Sequence, residues 1–96
     1  MPEGADPSEA EAAEIVRNKN VDDELLRMIT DRRDWMRLYQ VRLGLATNPK
    51  TALPVAVRLV GTLDDRDLRQ VGKSKNVPQV VAAHARRLLM TTRAPR

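Results

Sequence analysis

Three stretches of this chain share one pattern of turn followed by helix start: Asn18-Lys19-Asn20-Val21-Asp22-Asp23-Glu24, Asn48-Pro49-Lys50-Thr51-Ala52-Leu53-Pro54 and Ser74-Lys75-Asn76-Val77-Pro78-Gln79-Val80. Aligned on Val21, Thr51 and Val77, they stand 30 and 26 residues apart, in the range of periods at which short helices stack into an array. The alignment carries its flanks with it. Ile15, Leu45 and Val71 occupy one position before the turn, and Leu25, Val55 and Val81 one position after it. A helix with one apolar face has to bury that face on a neighbour, so the pattern predicts an all-α chain of about six helices, alternating B-A-B-A-B-A in a short right-handed stack. An irregular helical bundle is the alternative that satisfies the same periodicity.

The residues available for a core agree with helices. With no Phe, one Trp and one Tyr, the interior has to come from Leu, Val, Ile, Ala and Met, which suits closely approaching helices better than a thick sheet sandwich. At 96 residues the chain is a single domain, and one of this size buries only about 60% of its unfolded surface. Self-association or a place in a larger assembly is therefore expected to help it. The absence of Cys removes disulfides, iron–sulfur clusters and thiolate zinc sites together, and fits a reducing compartment. No apolar run approaches the roughly 18 residues needed to span a bilayer, and the acidic N-terminus lacks the basic and apolar regions of a secretion signal. A cytoplasmic protein without membrane contact is the expectation.

Along the chain, residues 1–6 are expected to be a disordered acidic arm. Asp6-Pro7-Ser8-Glu9 reads as a helix start, with Asp6 as N-cap, Pro7 in the first turn and Glu9 at the capping-box position. This first helix is expected to run to Arg17. A second helix covers Asp22 to about Thr30, with acids in its first turn, and Asp31-Arg32-Arg33-Asp34 forms the turn after it. The third, from Trp35 to Ala46, is predicted to be the longest and the centre of the core. Asn48-Pro49 stops it and Thr51 caps the next helix, Ala52 to Val60, which Gly61 ends in a left-handed conformation. A fifth helix runs from about Asp64 to Val71 and ends at Gly72, and Pro78 opens a sixth that reaches about Thr91. The helical domain thus spans 7–91, followed by a basic tail over 92–96.

Taken together, Ala46-Thr47-Asn48-Pro49-Lys50-Thr51, the apolar helix through Leu59 and the segment Asp64-Asp65-Arg66-Asp67-Leu68-Arg69-Gln70-Val71 resemble the leucine-rich-repeat-variant family, related in style to HEAT and armadillo repeats. Repeats of that family show an Ala/Arg-x-Asn-Pro-x-Thr-Pro turn, a Leu-x-x-Leu segment and an Asp-x-x-Val-Arg segment. The resemblance covers about residues 15–89. This chain departs from it with Ala52 after Thr51, with no Pro in the first turn and with an elongated first repeat. It implies stacked short helices, some of the 3-10 type, forming a curved interaction surface. The iron–sulfur site of the family's founding type cannot carry over without Cys.

No constellation of residues supports catalysis, so neither a catalytic residue nor a metal or cofactor site is assigned. His84, the only histidine, has no nucleophile or carboxylate placed by sequence to work with it. Asp64-Asp65-Arg66-Asp67 lacks the Gly and terminal Glu of a calcium loop and reads as helix-start acids. Trp35 and Tyr39, four residues apart, read as a core pair rather than a base-stacking platform.

Charge carries the remaining signal. Five of the 13 acids fall in residues 1–14, which hold no Lys or Arg, so the rest of the chain sets 17 basic residues against eight acids, a body of +9 inside a net +4. Such a body suits an anionic partner. The turns leading into the A helices carry Arg17, Lys19, Lys50, Lys73 and Lys75, and a stack would line these cations along one edge beside helix N-termini. The expectation is a non-enzymatic interaction module whose basic edge docks an acidic protein segment. The alternative is sequence-nonspecific nucleic-acid binding through phosphates.

Overall fold

The computed structural model describes residues 8–91. The acidic arm over 1–6, the cap and first-turn roles of Asp6 and Pro7, and the basic tail over 92–96 lie outside the described residues. Seven helices and no strand occur among those described: α1 (Glu9–Arg17), α2 (Asp23–Thr30), α3 (Arg33–Met36), α4 (Tyr39–Thr47), α5 (Leu53–Val60), α6 (Asp65–Lys73) and α7 (Gln79–Thr91). The chain is all-α, as its pattern predicts. It has one helix more than expected, and none is of the 3-10 type that the resemblance implies for some.

One turn is built three times. The helices before it end at Arg17, Thr47 and Lys73, and Asn18, Asn48 and Ser74 follow in extended conformation. Their amides donate to the carbonyls of Ile15, Leu45 and Val71 at 3.1, 3.2 and 3.2 Å. Each then turns the chain with its own side chain: Asn18 Oδ1 and Asn48 Oδ1 accept from the amides of Asn20 and Lys50 at 2.9 Å, and Ser74 Oγ accepts from Asn76 at 3.1 Å. Short polar side chains that bond the backbone two residues on make such turns locally, without help from the core. Val21, Thr51 and Val77 next turn inward, each 7% exposed, and α2, α5 and α7 begin two residues later.

The core runs through the layer between these helices. Leu26, Ala56 and Ala82 fill one slot of α2, α5 and α7, and Ile29, Leu59 and Ala85 fill the slot three residues on. The other wall comes from Val16 of α1, Val41 and Leu45 of α4, and Leu68 and Val71 of α6, all within 1% of complete burial. Each aliphatic side chain so buried contributes about 1.5–3 kcal/mol. The molecule measures 46 × 28 × 18 Å, longer in one direction as a row of helices should be.

Several local expectations are corrected. Ser8 caps α1, and it forms a reciprocal capping box with Glu11, three residues on, in place of Glu9. The predicted helix from Trp35 to Ala46 breaks at Arg37-Leu38, where Leu38 is extended. An unbroken helix would set Trp35 and Val41 about 120° apart on its circumference, whereas both are buried here, at 4% and 0% exposure. Arg42 compensates the break by donating to the carbonyls of Met36 and Arg37 at 3.0 Å each, which α3 leaves without helical partners.

Thr51 does not cap α5. Were it the N-cap, position N3 would be Pro54, which has no N–H to donate. Ala52 takes the cap position, without a side-chain hydrogen bond. Gly61 follows α5 at φ −66, in the right-handed region. The amides of Thr62 and Leu63 close the last turn by donating to Leu59 and Val60 at 2.9 and 3.1 Å, so no left-handed residue is needed. Gly72 lies inside α6 instead of ending it, because α7 crosses there: a Cβ on Gly72 would meet Arg86 Cγ at 2.8 Å, and Arg86 Nη1 donates to the Gly72 carbonyl at 2.7 Å.

Candidate functional site

The first two turns are tied together by the carboxamide of Asn48. Its Nδ2 donates to the Val16 carbonyl at 2.7 Å and to the Asn18 carbonyl at 3.0 Å. The turn carrying Lys19 is thereby held against the turn carrying Lys50. Arg17, Thr47 and Ser74, which end or follow α1, α4 and α6, all line one groove, so the C-terminal ends of these three helices converge. Arg17, Lys19, Lys50, Lys73 and Lys75 are all exposed.

These five cations are not equivalent. Arg17 is already engaged, its guanidinium 3.0 Å from the Glu14 carboxylate one turn earlier on α1. Both partners are well exposed, so the pair adds little stability, yet it lowers the positive field at that point. Lys19 sits beside the exposed acids Asp22, Asp23 and Glu24 that open α2.

Two hollows flank this edge. A groove of about 310 Å³ lies between α4 and α6, with Leu43, Gly44 and Val71 in its floor and Gln40, Gln70 and Arg17 among its polar walls. On the other face, a cleft of about 500 Å³ separates α2 from α5. Lys50, Arg27 and Arg58 line it, together with Asp23 and Asp31. Among the described residues none of these charges stands within ion-pair distance of another. The sequence reading missed Arg27 and Arg58. Arg27 falls in the last turn of α2 and Arg58 in the last turn of α5, so only the packing of the two helices brings them to one cleft.

The aromatic pair separates. Trp35 is buried, with the Arg32 guanidinium 4.1 Å from its ring centroid and Arg32 held by Asp34. That hydrogen bond from Arg32 draws the Asp34 carboxyl below its ordinary range. Tyr39 is half-buried and joins α4 to the start of α6: its hydroxyl donates to Asp67 Oδ2 and accepts from the Asp64 amide at 3.1 Å. Burial, then the hydrogen bond to Asp67, push the phenol up to about 12. The Asp67 amide donates to Asp64 Oδ1 at 3.1 Å and holds the Asp64 carboxyl below its ordinary range. The acids of this helix start are thus occupied in capping and anchoring.

His84 is half-buried on α7. Among the described residues no group of three potential metal-ligating side chains occurs, and no helix is long and apolar enough to cross a membrane. Compared with known proteins, no family model, curated protein or solved structure matches the chain significantly.

Proposed function

We propose that this chain is a small non-enzymatic docking module, a helical-repeat stack whose basic turn edge binds an acidic segment of a protein partner. The observation that carries the reading is the threefold recurrence of one turn geometry, which sets Lys19, Lys50 and Lys75 on exposed, locally equivalent hairpins of the chain. A rigid turn presents its ammonium group at low entropic cost, and neighbouring turns offer a row of cations to an extended acidic peptide.

The test reverses the edge. Lys19→Glu, Lys50→Glu and Lys75→Glu combined are expected to leave helicity unchanged, since exposed turn substitutions shift stability by about 0.5 kcal/mol or less each. Binding of a blocked hexaglutamate peptide should collapse, mainly through slower association at low salt. Unchanged binding removes the edge as the docking surface.

Duplex DNA titrated across salt distinguishes the second class of partner, which the +9 body favours. Phosphate contacts make log K fall with log salt at a slope of about 0.9 per phosphate neutralised. A steep slope with tight binding would replace the protein partner with nucleic acid.

A further inference from the structure

The cleft between α2 and α5 holds an unusual set of unused donors. α5 is eight residues long, and its N-cap is Ala52, which has no side chain able to receive the helix's first amides. Pro54 removes one of those amides, and of the rest the Val55 N–H belongs to a residue that lines the cleft. Thr51, just before the cap, is 7% exposed and lines the same cleft, and its hydroxyl has no hydrogen-bond partner. A buried hydroxyl without a partner is costly, and native proteins rarely keep one without a reason. Lys50 precedes this helix start, Arg27 and Arg58 line the same cleft from the last turns of α2 and α5, and Leu26 and Val55 supply an apolar wall. Asp23 and Asp31 oppose them from α2, leaving an excess of one positive charge before the helix dipole is counted.

We infer that this cleft is a carboxylate receptor: an Asp or Glu side chain of the acidic partner segment enters it, accepts from the Val55 amide and the Thr51 hydroxyl, and is neutralised by Lys50 and Arg58. The inference rests on the docking role proposed above and assigns that role a specific seat. A carboxylate at this point takes the place that Asp22 holds at the start of α2 from within the chain, with the Val55 amide as donor because Pro54 stands where α2 has Glu24. The aliphatic stem of a bound Glu lies against Leu26 and Val55. Asp23 and Asp31 repel a ligand bearing extra charge deep in the cleft, which favours a single carboxylate over a doubly charged phosphate.

Ala52→Asp tests the seat, because it installs a carboxylate of the chain's own where the partner's would sit. The variant is expected to unfold at a higher temperature than the parent, since α5 gains a cap. It should bind blocked hexaglutamate at least about tenfold more weakly, the size of a lost charge-assisted hydrogen bond. Thr51→Val should weaken binding in the same direction. In proton–nitrogen correlation spectra of the parent protein, the Val55 amide should shift on titration with the peptide. A stabilised Ala52→Asp variant that binds as tightly as the parent, or a Val55 amide that does not move, overturns the seat. If the triple lysine reversal still abolishes binding in that case, the edge survives without it. A parent protein that does not bind hexaglutamate at low salt overturns both.

Discussion

Asn48 reaches from the second turn to the first, where its Nδ2 donates to the Val16 carbonyl at 2.7 Å. Asn48 is itself 3% exposed, and its Oδ1 accepts from the Lys50 amide within its own turn. One side chain therefore forms a turn and joins that turn to its neighbour. Asn18 and Ser74 make only the local bond. Asn48→Ala strands a buried carbonyl and is expected to cost about 2–3 kcal/mol. Asn18→Ala, at an exposed site, should cost less than about 1 kcal/mol. Urea denaturation measures both, and equal losses would mean that the link between the turns contributes nothing.

Thr51 occupies a slot that its two counterparts fill with Val, and its hydroxyl is buried without a partner. Thr51→Val should therefore stabilise the fold by about 1 kcal/mol, the penalty of an unsatisfied buried hydroxyl that the substitution removes. Thermal unfolding reads the change. A variant less stable than the parent would show that the hydroxyl is satisfied in solution.

Gly44 lies in α4, where Ala would ordinarily favour a helix by up to about 1 kcal/mol. Packing reverses the sign, because a Cβ there would collide with Val16 Cγ2 and sit 3.3 Å from Val16 Cβ. Overpacking of this kind costs about 1–3 kcal/mol, so Gly44→Ala should be destabilising. Val16→Ala removes the obstructing methyls and should cost less in the Gly44→Ala background than in the parent. Additive losses in this double-mutant cycle would contradict the contact.

Tyr39 is the only tyrosine, so ultraviolet absorbance follows its ionisation without interference. Its ordinary value is 10.0, and in the fold it is pushed up to about 12. A raised value means that the folded state favours the protonated phenol. The resulting stability is complete below pH 10 and is lost as pH rises through 12. The folded protein should titrate near pH 12, and Asp67→Asn should move that midpoint back toward 10. A midpoint at 10 in the folded parent would show that the phenol is neither buried nor bonded to Asp67.

The helices that follow the three turns were legible because their signals are local. Asn and Ser bond their own backbone two residues on, acids and Pro mark helix starts, and aliphatic spacing marks the buried face. Starts and stops of α2, α5 and α7 follow from residues within one turn of each boundary. The exposed cations of the edge were legible for the same reason, since a Lys beside Asn and Pro in a turn faces water whatever the rest of the chain does.

Tertiary structure alone decided the rest. Trp35 and Val41 fit one helix by periodicity, yet each finds the core only when the chain breaks between them, and the Arg42 side chain that satisfies the break comes from beyond it. Gly72 reads as a helix stop, but its missing Cβ serves the close approach of α7. The cleft between α2 and α5 joins Arg27 to Arg58 across two helices, a distance in sequence over which local propensity has no influence. The sequence by itself determined an all-α chain with three like turns, because backbone hydrogen bonding and capping act over a few residues. Where those elements meet, and so which cations and amides share a cleft, depends on how side chains of different helices pack, and that depends on shape and volume across the fold.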